Sequence, residues 1–183
     1  MVQVSWGFAG DDEERLPPLE QDILTKFGDR GVDRFATGVM SNVYRVASLL
    51  RNHMEREVLG ESQLSFTAFV VLFTLLTWGE MEANRLASRA GVTKGTLTGV
   101  VTTLERRGLC KRTVHSSDKR KVLVSLTDDG TKLIEMIAPA YNKEEARLVS
   151  DLTLDQKVET GNALRTILAT GVKLRSSRED SIE

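Results

Sequence analysis

The sequence predicts a mainly α-helical fold with a small β-hairpin wing. Apolar residues return at steps of three and four over most of the chain, which is the period of an amphipathic helix. Between 109 and 126 the period changes to two, which is typical of a pair of short strands. A short helix, a Gly91-Val92 turn and a second helix come directly before those strands. Together these segments predict a helix-turn-helix followed by a hairpin.

The bulk composition limits the classes of protein to which the chain can belong. With 183 residues and 40% hydrophobic content, it is long enough for one well-packed domain, with or without a helical appendage. The single cysteine excludes an intrachain disulfide, and two isolated histidines give no set of metal ligands. The sequence contains no Gly-rich phosphate loop and no Ser-His or Cys-His pair with supporting context. We therefore expect no cofactor and no enzymatic activity.

The sequence also lacks the features of an exported or membrane protein. Its most apolar stretch, 66–78, is interrupted by three threonines and is shorter than the roughly 20 residues that span a bilayer. Four consecutive acidic residues, Asp11 to Glu14, stand where a secretory signal would be basic. We expect a cytoplasmic protein that has no membrane partner.

Positive charge is concentrated in one segment. The whole chain has a formal net charge of -1, yet ten of its 25 Lys and Arg residues lie between Arg85 and Lys121. Only Glu105 and Asp118 oppose them there, so this segment carries +8 and the remaining residues carry -9. A basic face on an acidic body steers a polyanion toward one surface, which favours double-stranded DNA as a partner.

The N-terminal part of the chain predicts a tail and two helices. Residues 1–18 mix Gly, acidic residues and a Pro-Pro pair without periodicity, which favours a mobile tail or a short arm. Residues 19–27 predict a short helix that ends at Gly28. A long amphipathic helix to about Val58 is predicted by apolar residues at helical spacing, namely Val32, Phe35, Val39, Val43, Val46 and Leu50.

Three helices are expected in the middle of the chain. Ser65 is placed to cap a helix over 66–78, which Gly79 ends. A shorter helix is expected over 82–90, and Thr93 is the expected N-cap of the helix after the turn. The helix-turn-helix therefore occupies the segment before the hairpin.

Two more helices are expected after the hairpin. Thr127 begins the first, which Pro139 is expected to bend. Thr153 and Gln156 form a capping box for the second.

The helix after Thr93 has two different faces. Leu97, Val100, Val101 and Leu104 fall on one side and are expected to be buried, so the opposite side is exposed. Two glycines on that side each cost roughly 1 kcal/mol relative to Ala, which favours close approach of a partner over a purely structural helix. A slightly unstable solvated helix is the alternative. The candidate DNA-contacting residues of this helix are Thr93, Lys94, Gly95, Thr96, Thr98, Gly99, Thr102 and Arg106.

The predicted hairpin presents a cluster of cations. Its strands are expected over 109–115 and 122–126, and its polar turn over 116–119. Asp118 stands two residues before Arg120 and can orient the guanidinium, which suits a narrow minor groove. An ordinary charged turn is the alternative. The candidate DNA-contacting residues here are Arg112, His115, Asp118, Lys119, Arg120 and Lys121.

Three motifs resemble the multiple antibiotic resistance regulator (MarR) family of winged-helix transcription factors. Residues 64–67, Leu-Ser-Phe-Thr, resemble the opening of the family's second helix. Residues 93–98 and 104–109 are similar to its recognition helix and the exit from that helix. The most specific motif is Asp-Lys-Arg at 118–120 followed by Leu-Thr-Asp-Asp-Gly at 126–130, which resembles the family's Asp-x-Arg wing and the start of its fifth helix. The resemblance covers nearly the whole chain.

The resemblance implies a winged helix-turn-helix lobe over 64–126 and long N- and C-terminal dimerisation helices from 19–63 and 127–174. A homodimer would place two lobes on a pseudo-palindromic operator, with recognition helices about 34 Å apart. The implied function is a transcriptional repressor that a small aromatic or phenolic effector releases from DNA. The candidate effector-binding residues, each also explained as a half-buried surface residue, are Tyr44, Arg45, Arg51, His53 and Trp78.

Two alternatives stay open. A winged-helix module would instead bind protein partners and use its basic face for solubility or acidic ligands, without specific DNA binding. A redox-sensing regulator would use Cys110, which lies on the first strand of the hairpin and is also explained as a small packed hydrophobe. The glycine and threonine face of the helix after Thr93 favours DNA binding over a protein-interaction module.

Overall fold

A computed structural model of the protein describes residues 18–27, 30–114, 118 and 121–179. The tail expected over 1–18 lies outside these residues except for Pro18, and so do His115, Lys119 and Arg120 of the wing. The chain divides into two compact units, the first ending at Arg56 and the second beginning at Glu57.

The first unit consists of two helices, α1 (Pro18–Phe27) and α2 (Arg34–Glu57, of which the last residue opens the second unit). Asp33 begins α2, because its Oδ1 accepts hydrogen bonds from the amides of Phe35 and Ala36 at 2.9 and 3.1 Å. Many large apolar side chains of α2 are exposed, among them Phe35, Val39, Met40, Tyr44 and Val46.

The second unit contains the remaining elements. In chain order these are α3 (Phe66–Trp78), β1 (Met81–Glu82), α4 (Ala83–Arg89), α5 (Lys94–Arg106), β2 (Cys110–Val114), β3 (Val122–Leu126), α6 (Asp128–Leu148) and α7 (Leu154–Glu179). The predicted mainly helical fold with a small wing is confirmed. The last helix extends beyond the predicted end at 174.

The helix boundaries follow the predicted caps. The Ser65 hydroxyl accepts from the Ala68 amide at 3.2 Å, and Gly79 ends α3 with φ at +73°. The capping box of α7 is also present, because Thr153 and Gln156 each bond the other's amide through a side-chain oxygen, at 2.9 and 3.2 Å. Pro139 lies inside α6, which continues through it to Leu148.

The sheet has three antiparallel strands in the order β1-β3-β2. Strand β2 pairs with β3 from Cys110 opposite Leu126 to Val114 opposite Val122, as expected for the hairpin. Strand β1 pairs Met81 with Val124 on the other edge of β3 and was not predicted. A two-residue strand is too short to show a period, so the pattern of residues 81–82 carries no strand signal.

The core of the second unit lies around α3, which packs against α4, α5, α6 and β3. Its largest fully buried side chains include Leu59, Val71, Leu72, Leu86, Val101, Leu104, Val124 and Ile134. In contrast, α7 packs extensively on no other element of the described residues and keeps most of its apolar side chains exposed. None of the described helices is long and apolar enough to cross a membrane.

The junction between α5, β2 and α6 is tightly packed. The Thr127 hydroxyl donates to the Gly108 carbonyl at 2.6 Å and accepts from the Gly130 amide at 3.1 Å. A Cβ atom at Gly130 would overlap the backbone carbonyl of Leu109, so the first turn of α6 lies directly on the exit of α5. This contact fixes where β2 leaves α5 and therefore where the wing stands beside that helix.

Candidate nucleic-acid interface

Helix α5 is well defined at both ends. The Thr93 hydroxyl accepts from the Thr96 amide at 3.1 Å, which confirms the predicted N-cap. At the other end Gly108 has φ at +70°, and the amides of Gly108 and Leu109 donate to the carbonyls of Glu105 and Leu104. This termination turns the chain into β2 within a few residues.

The two faces of α5 are as the sequence predicts. Leu97, Val101 and Leu104 are buried against the core, and Val100 is half-buried. The candidate DNA-contacting residues of this helix are all exposed, namely Thr93, Lys94, Gly95, Thr96, Thr98, Gly99, Thr102 and Arg106. They form one continuous surface, which we call the α5 face.

The two glycines of the α5 face have no packing function among the residues that the structure describes. A Cβ at Gly99 would meet nothing within 4 Å, and one at Gly95 would meet only the Thr93 hydroxyl at 3.9 Å. Both glycines have ordinary helical φ angles, so the backbone does not require them either. The unoccupied space above them lets a partner approach the helix backbone closely.

Thr98 and Thr102 of the α5 face, and Thr103 beside it, direct their hydroxyl protons back into the helix. Thr98 donates to the Lys94 carbonyl at 2.9 Å, Thr102 to the Thr98 carbonyl at 2.8 Å, and Thr103 to the Gly99 carbonyl at 3.1 Å. The Thr102 oxygen also accepts a hydrogen bond from Arg112 Nη2 at 2.8 Å, whereas the oxygen lone pairs of Thr98 and Thr103 and the methyl groups of all three residues remain for a partner. They can therefore accept from the amino groups of adenine or cytosine and contact the methyl group of thymine.

The cations around the α5 face differ in how they are engaged. Lys94, Arg106 and Lys111 are exposed, and no ion pair or hydrogen bond engages their side chains within the described residues. Arg112 instead pairs with Glu105, with Nη2 at 2.7 Å from Oε2. Lys121 pairs with Glu82 of β1, with Nζ at 2.7 Å from Oε1.

Both ion pairs shift the pKa of one partner. The hydrogen bond from the Arg112 side chain lowers the pKa of Glu105, and the Arg112 amide lowers it further. The hydrogen bond to Glu82 raises the pKa of Lys121. Glu105 and Glu82 were not predicted as site residues, since only the folding of β2 onto α5 and the pairing of β1 with β3 bring them to these cations.

The wing is described only in part. Asp118 is half-buried, and its carbonyl accepts from the Lys121 amide at 2.9 Å, just before β3. The predicted contact between Asp118 and Arg120 lies outside the described residues, as do Lys119 and His115.

Cys110 lies on β2 beneath the α5 face and is 2% exposed. Its thiol is 3.7 Å from the Val101 carbonyl, and burial raises the pKa of the thiol to about 11. A thiol that is buried and protonated at neutral pH packs as a small apolar side chain. The described residues contain no group of three or more His, Cys, Asp or Glu that could hold a metal ion.

A cleft of about 540 Å³ opens between α3, α4 and α6. Aromatic rings from two helices form its apolar part, with Tyr141 of α6 stacked on Phe69 of α3 at a centroid distance of 4.1 Å. Trp78 and Arg89 stand at the other side, where the guanidinium lies 4.6 Å from the indole ring. Burial raises the pKa of Tyr141 to about 12, so its hydroxyl stays protonated and can donate a hydrogen bond.

The candidate effector residues are divided between the two units. Trp78 lines the cleft of the second unit, whereas Tyr44 and Arg51 line a separate groove of about 450 Å³ on α2. Arg45 and His53 are half-buried residues of α2 outside that lining. Phe69, Tyr141 and Arg89 were not predicted as site residues. Along the chain each occupies an ordinary core or surface position, and only the packing of three helices brings them together.

Comparisons with known proteins identify the family. The family model of MarR matches residues 64–122. An uncharacterized HTH-type transcriptional regulator of Bacillus subtilis, YwaE, is 37% identical over 152 residues, which is 81% of this chain and 89% of that protein.

Two solved structures share the fold. The DNA complex of S. aureus MepR matches with a TM-score of 0.66 at 22% identity, over 72% of this chain and 96% of that one. The Bordetella bronchiseptica protein BpsR, whose DNA binding is regulated by 6-hydroxynicotinic acid, matches with a TM-score of 0.63 at 26% identity, over 70% and 97%. The chain is therefore a member of the MarR family of transcriptional regulators.

Proposed function

We propose that this regulator binds a pseudo-palindromic operator in double-stranded DNA as a homodimer and represses transcription. The α5 face is the observation that carries the proposal. Its glycines leave room for base edges, its threonines offer acceptors and methyl groups, and Lys94 and Arg106 stand at its two ends to meet phosphates.

The exposed apolar surface of the terminal helices supports self-association. On α7, Leu154 is 75% and Leu168 is 70% exposed, and together with Val158 and Val172 they fall on one side of the helix at about 100° per residue. A soluble chain rarely leaves such a row uncovered, and a twofold dimer is the commonest way to cover it. Two α5 faces about one turn of DNA apart would then read the two halves of an operator.

The proposal is tested by titrating the protein against the DNA upstream of its own gene and against a scrambled duplex of the same length, over a series of salt concentrations. We expect specific binding whose logarithmic affinity falls steeply with the logarithm of salt. The Lys94→Ala and Arg120→Ala variants should weaken binding to both duplexes. Each should also reduce the salt slope, which is the slope of log affinity against log salt concentration, by about one. Absence of binding to any duplex at low salt would leave the protein-interaction module as the better explanation.

We further propose that a small aromatic acid binds in the cleft between α3, α4 and α6 and releases the protein from DNA. The aromatic wall of Phe69 and Tyr141 suits a planar ring, and Arg89 offers a cation for a carboxylate or phenolate. That BpsR responds to 6-hydroxynicotinic acid makes hydroxylated aromatic acids the first class to test.

Arg89 and Arg51 distinguish the two candidate pockets. A thermal-shift screen of aromatic acids and phenols identifies ligands, and each hit is then tested for release of DNA. We expect Arg89→Gln to abolish the shift and the release, while Arg51→Gln, in the α2 groove, retains both. The reverse result would move the effector site to the α2 groove.

A further inference from the structure

Arg112 is fixed to α5 by several hydrogen bonds. Its Nε donates to Glu105 Oε2 at 2.9 Å, its Nη2 donates to the Thr102 hydroxyl at 2.8 Å, and its own amide donates to Glu105 Oε1 at 3.2 Å. Strand β2 lies at the edge of the sheet, so no strand pairs with its outer side. On that side the Glu105 carboxylate accepts the hydrogen bond from the Arg112 amide. Side chain and backbone of one residue therefore hold the strand against the helix.

This geometry makes Arg112 a poor phosphate ligand. Two of its guanidinium nitrogens, Nε and Nη2, are already engaged, and its charge is balanced by a carboxylate that would repel a phosphate placed beside it. Lys111, the preceding residue, is exposed on the opposite side of the strand and has no such engagement within the described residues. The two adjacent cations therefore differ in what they can do.

A second arginine holds the same end of α5 from another side. Arg107, the C-cap of the helix, donates through its guanidinium to the carbonyls of Ser62 and Gln63 at 2.7 and 2.9 Å. These carbonyls belong to the turn before α3, where Gln63 has φ at +52°, a left-handed conformation that is unusual for a residue other than glycine. The bonds from Arg107 help to hold that turn and fix α5 to it.

We propose that Arg112, Glu105 and Arg107 are positioning residues, which set the orientation of α5 for base reading and do not contact DNA themselves. This inference rests on the proposed DNA binding by the α5 face. It deepens that function by separating the cations of the lobe into two groups. Lys94, Arg106 and Lys111 contact phosphates, whereas Arg107 and Arg112 set the orientation of α5.

The direction in which Glu105→Ala changes DNA affinity tests the proposal. The probes are a duplex that the wild-type protein selects from a random-sequence pool and a duplex that it does not select. Glu105→Ala removes a negative charge beside the interface and frees Arg112, so a phosphate-contacting Arg112 would then bind DNA more tightly. A positioning pair predicts the opposite, a loss of at least tenfold for the selected duplex. Unchanged or increased affinity would overturn the proposal.

A matched pair of cation variants tests the separation into two groups. We expect Arg112→Met and Arg107→Met to lower the affinity ratio of selected to unselected duplex at least tenfold while the salt slope stays constant. Arg106→Met should reduce affinity for both duplexes and lower the slope by about one. A slope that falls by about one in Arg112→Met would contradict the assignment. The control for the change in net charge in Glu105→Ala is Glu135→Ala, which removes an exposed carboxylate of α6.

A measurement without DNA keeps this inference separate from the proposed function. Amide hydrogen exchange should show a protected Arg112 amide in the wild-type protein, with protection lost in Glu105→Ala and retained in Glu105→Gln, whose side chain keeps an acceptor. Equal protection in all three proteins would overturn the role of Glu105. If the wild-type protein selects no duplex, the proposed function fails, and this exchange result alone decides whether the pair positions α5.

Discussion

At two positions of the α5 face, the residue that would best stabilise the helix differs from the one that best lets a partner approach its backbone. Gly95 and Gly99 lie in a helix with open space around them, so alanine would fit sterically at either position. Alanine also has a higher helix propensity, because it loses less backbone entropy on folding. The glycines therefore lower the stability of α5, and their benefit has to lie outside the chain, in the close approach of a partner.

Gly99→Ala should separate these two effects. We expect the free energy of unfolding to rise by about 1 kcal/mol, because the helix gains propensity. Affinity for the selected duplex should fall roughly tenfold, equivalent to about 1.4 kcal/mol, because a methyl group then stands between the backbone and the base edges. Chemical denaturation and DNA titration measure the two quantities. Unchanged DNA affinity in a stabilised variant would show that nothing approaches the helix at Gly99.

Cys110 has a chemistry that follows from its surroundings. Because the pKa of its thiol is raised to about 11 by burial, the native protein holds the proton more tightly than the unfolded chain does. Its contribution to stability is full below the pKa of the unfolded thiol and is lost as pH rises through the native value.

We therefore expect Cys110 to resist a thiol reagent such as dithiobisnitrobenzoate in the native protein at pH 7.5 and to react at once in guanidinium chloride. Treatment with peroxide should leave DNA affinity unchanged, and mass spectrometry should find the thiol unmodified. Rapid reaction of the native protein, together with loss of DNA binding, would instead support the redox-sensing alternative.

At the scale of elements, the angle of the wing depends on a few close contacts. The exit of α5, the start of β2 and the first turn of α6 share the hydrogen bonds of Thr127 and the contact between Gly130 and Leu109. Glu105 and Arg112 add an ion pair on the side of α5 that faces the wing.

Gly130→Ala should be strongly destabilising. The added methyl group overlaps the Leu109 carbonyl, which is backbone and cannot rotate away, so we expect the free energy of unfolding to fall by about 1–3 kcal/mol. Gly171→Ala is the control, because a Cβ there meets nothing within 4 Å and the helix gains propensity. Equal stability of the two variants would mean that α6 shifts freely on α5.

The Glu105 ion pair predicts a pH dependence. The pKa of Glu105 is lowered in the native protein, so its contribution to stability is present above the pKa of the unfolded carboxyl group and is lost as pH falls through the native value. The wild-type protein should be more stable than Glu105→Ala near pH 7, and the difference should shrink in acid. Denaturation curves at a series of pH values measure it. A difference that is constant with pH would assign the effect to packing.

At the scale of the whole molecule, the apolar side of α7 is one of the exposed apolar surfaces of the described residues. We expect Leu168→Glu to weaken self-association roughly tenfold or more, because a carboxylate would be buried without a partner in the dimer. Glu159→Lys, on the opposite side of α7, should leave association unchanged. Sedimentation equilibrium measures the association, and DNA titration should show weaker operator binding only for Leu168→Glu. A wild-type protein that sediments as a monomer would contradict the dimer.

The sequence by itself determined the order and type of nearly all elements, the caps of α3, α5, α6 and α7, and the exposed side of α5. These features depend on local periodicity and on hydrogen bonds between residues three or four apart, which a linear pattern records. It also predicted the family, which the comparisons confirm.

Only the tertiary structure decided which cations of the lobe are engaged and where a cleft forms. The sequence predicts Arg112 and Lys121 as DNA contacts, but folding brings Glu105 and Glu82 from other elements into ion pairs with them. The cleft likewise needs Phe69, Arg89 and Tyr141 from three helices. Pairings between residues distant in sequence depend on how helices and strands pack, and no local pattern carries that information.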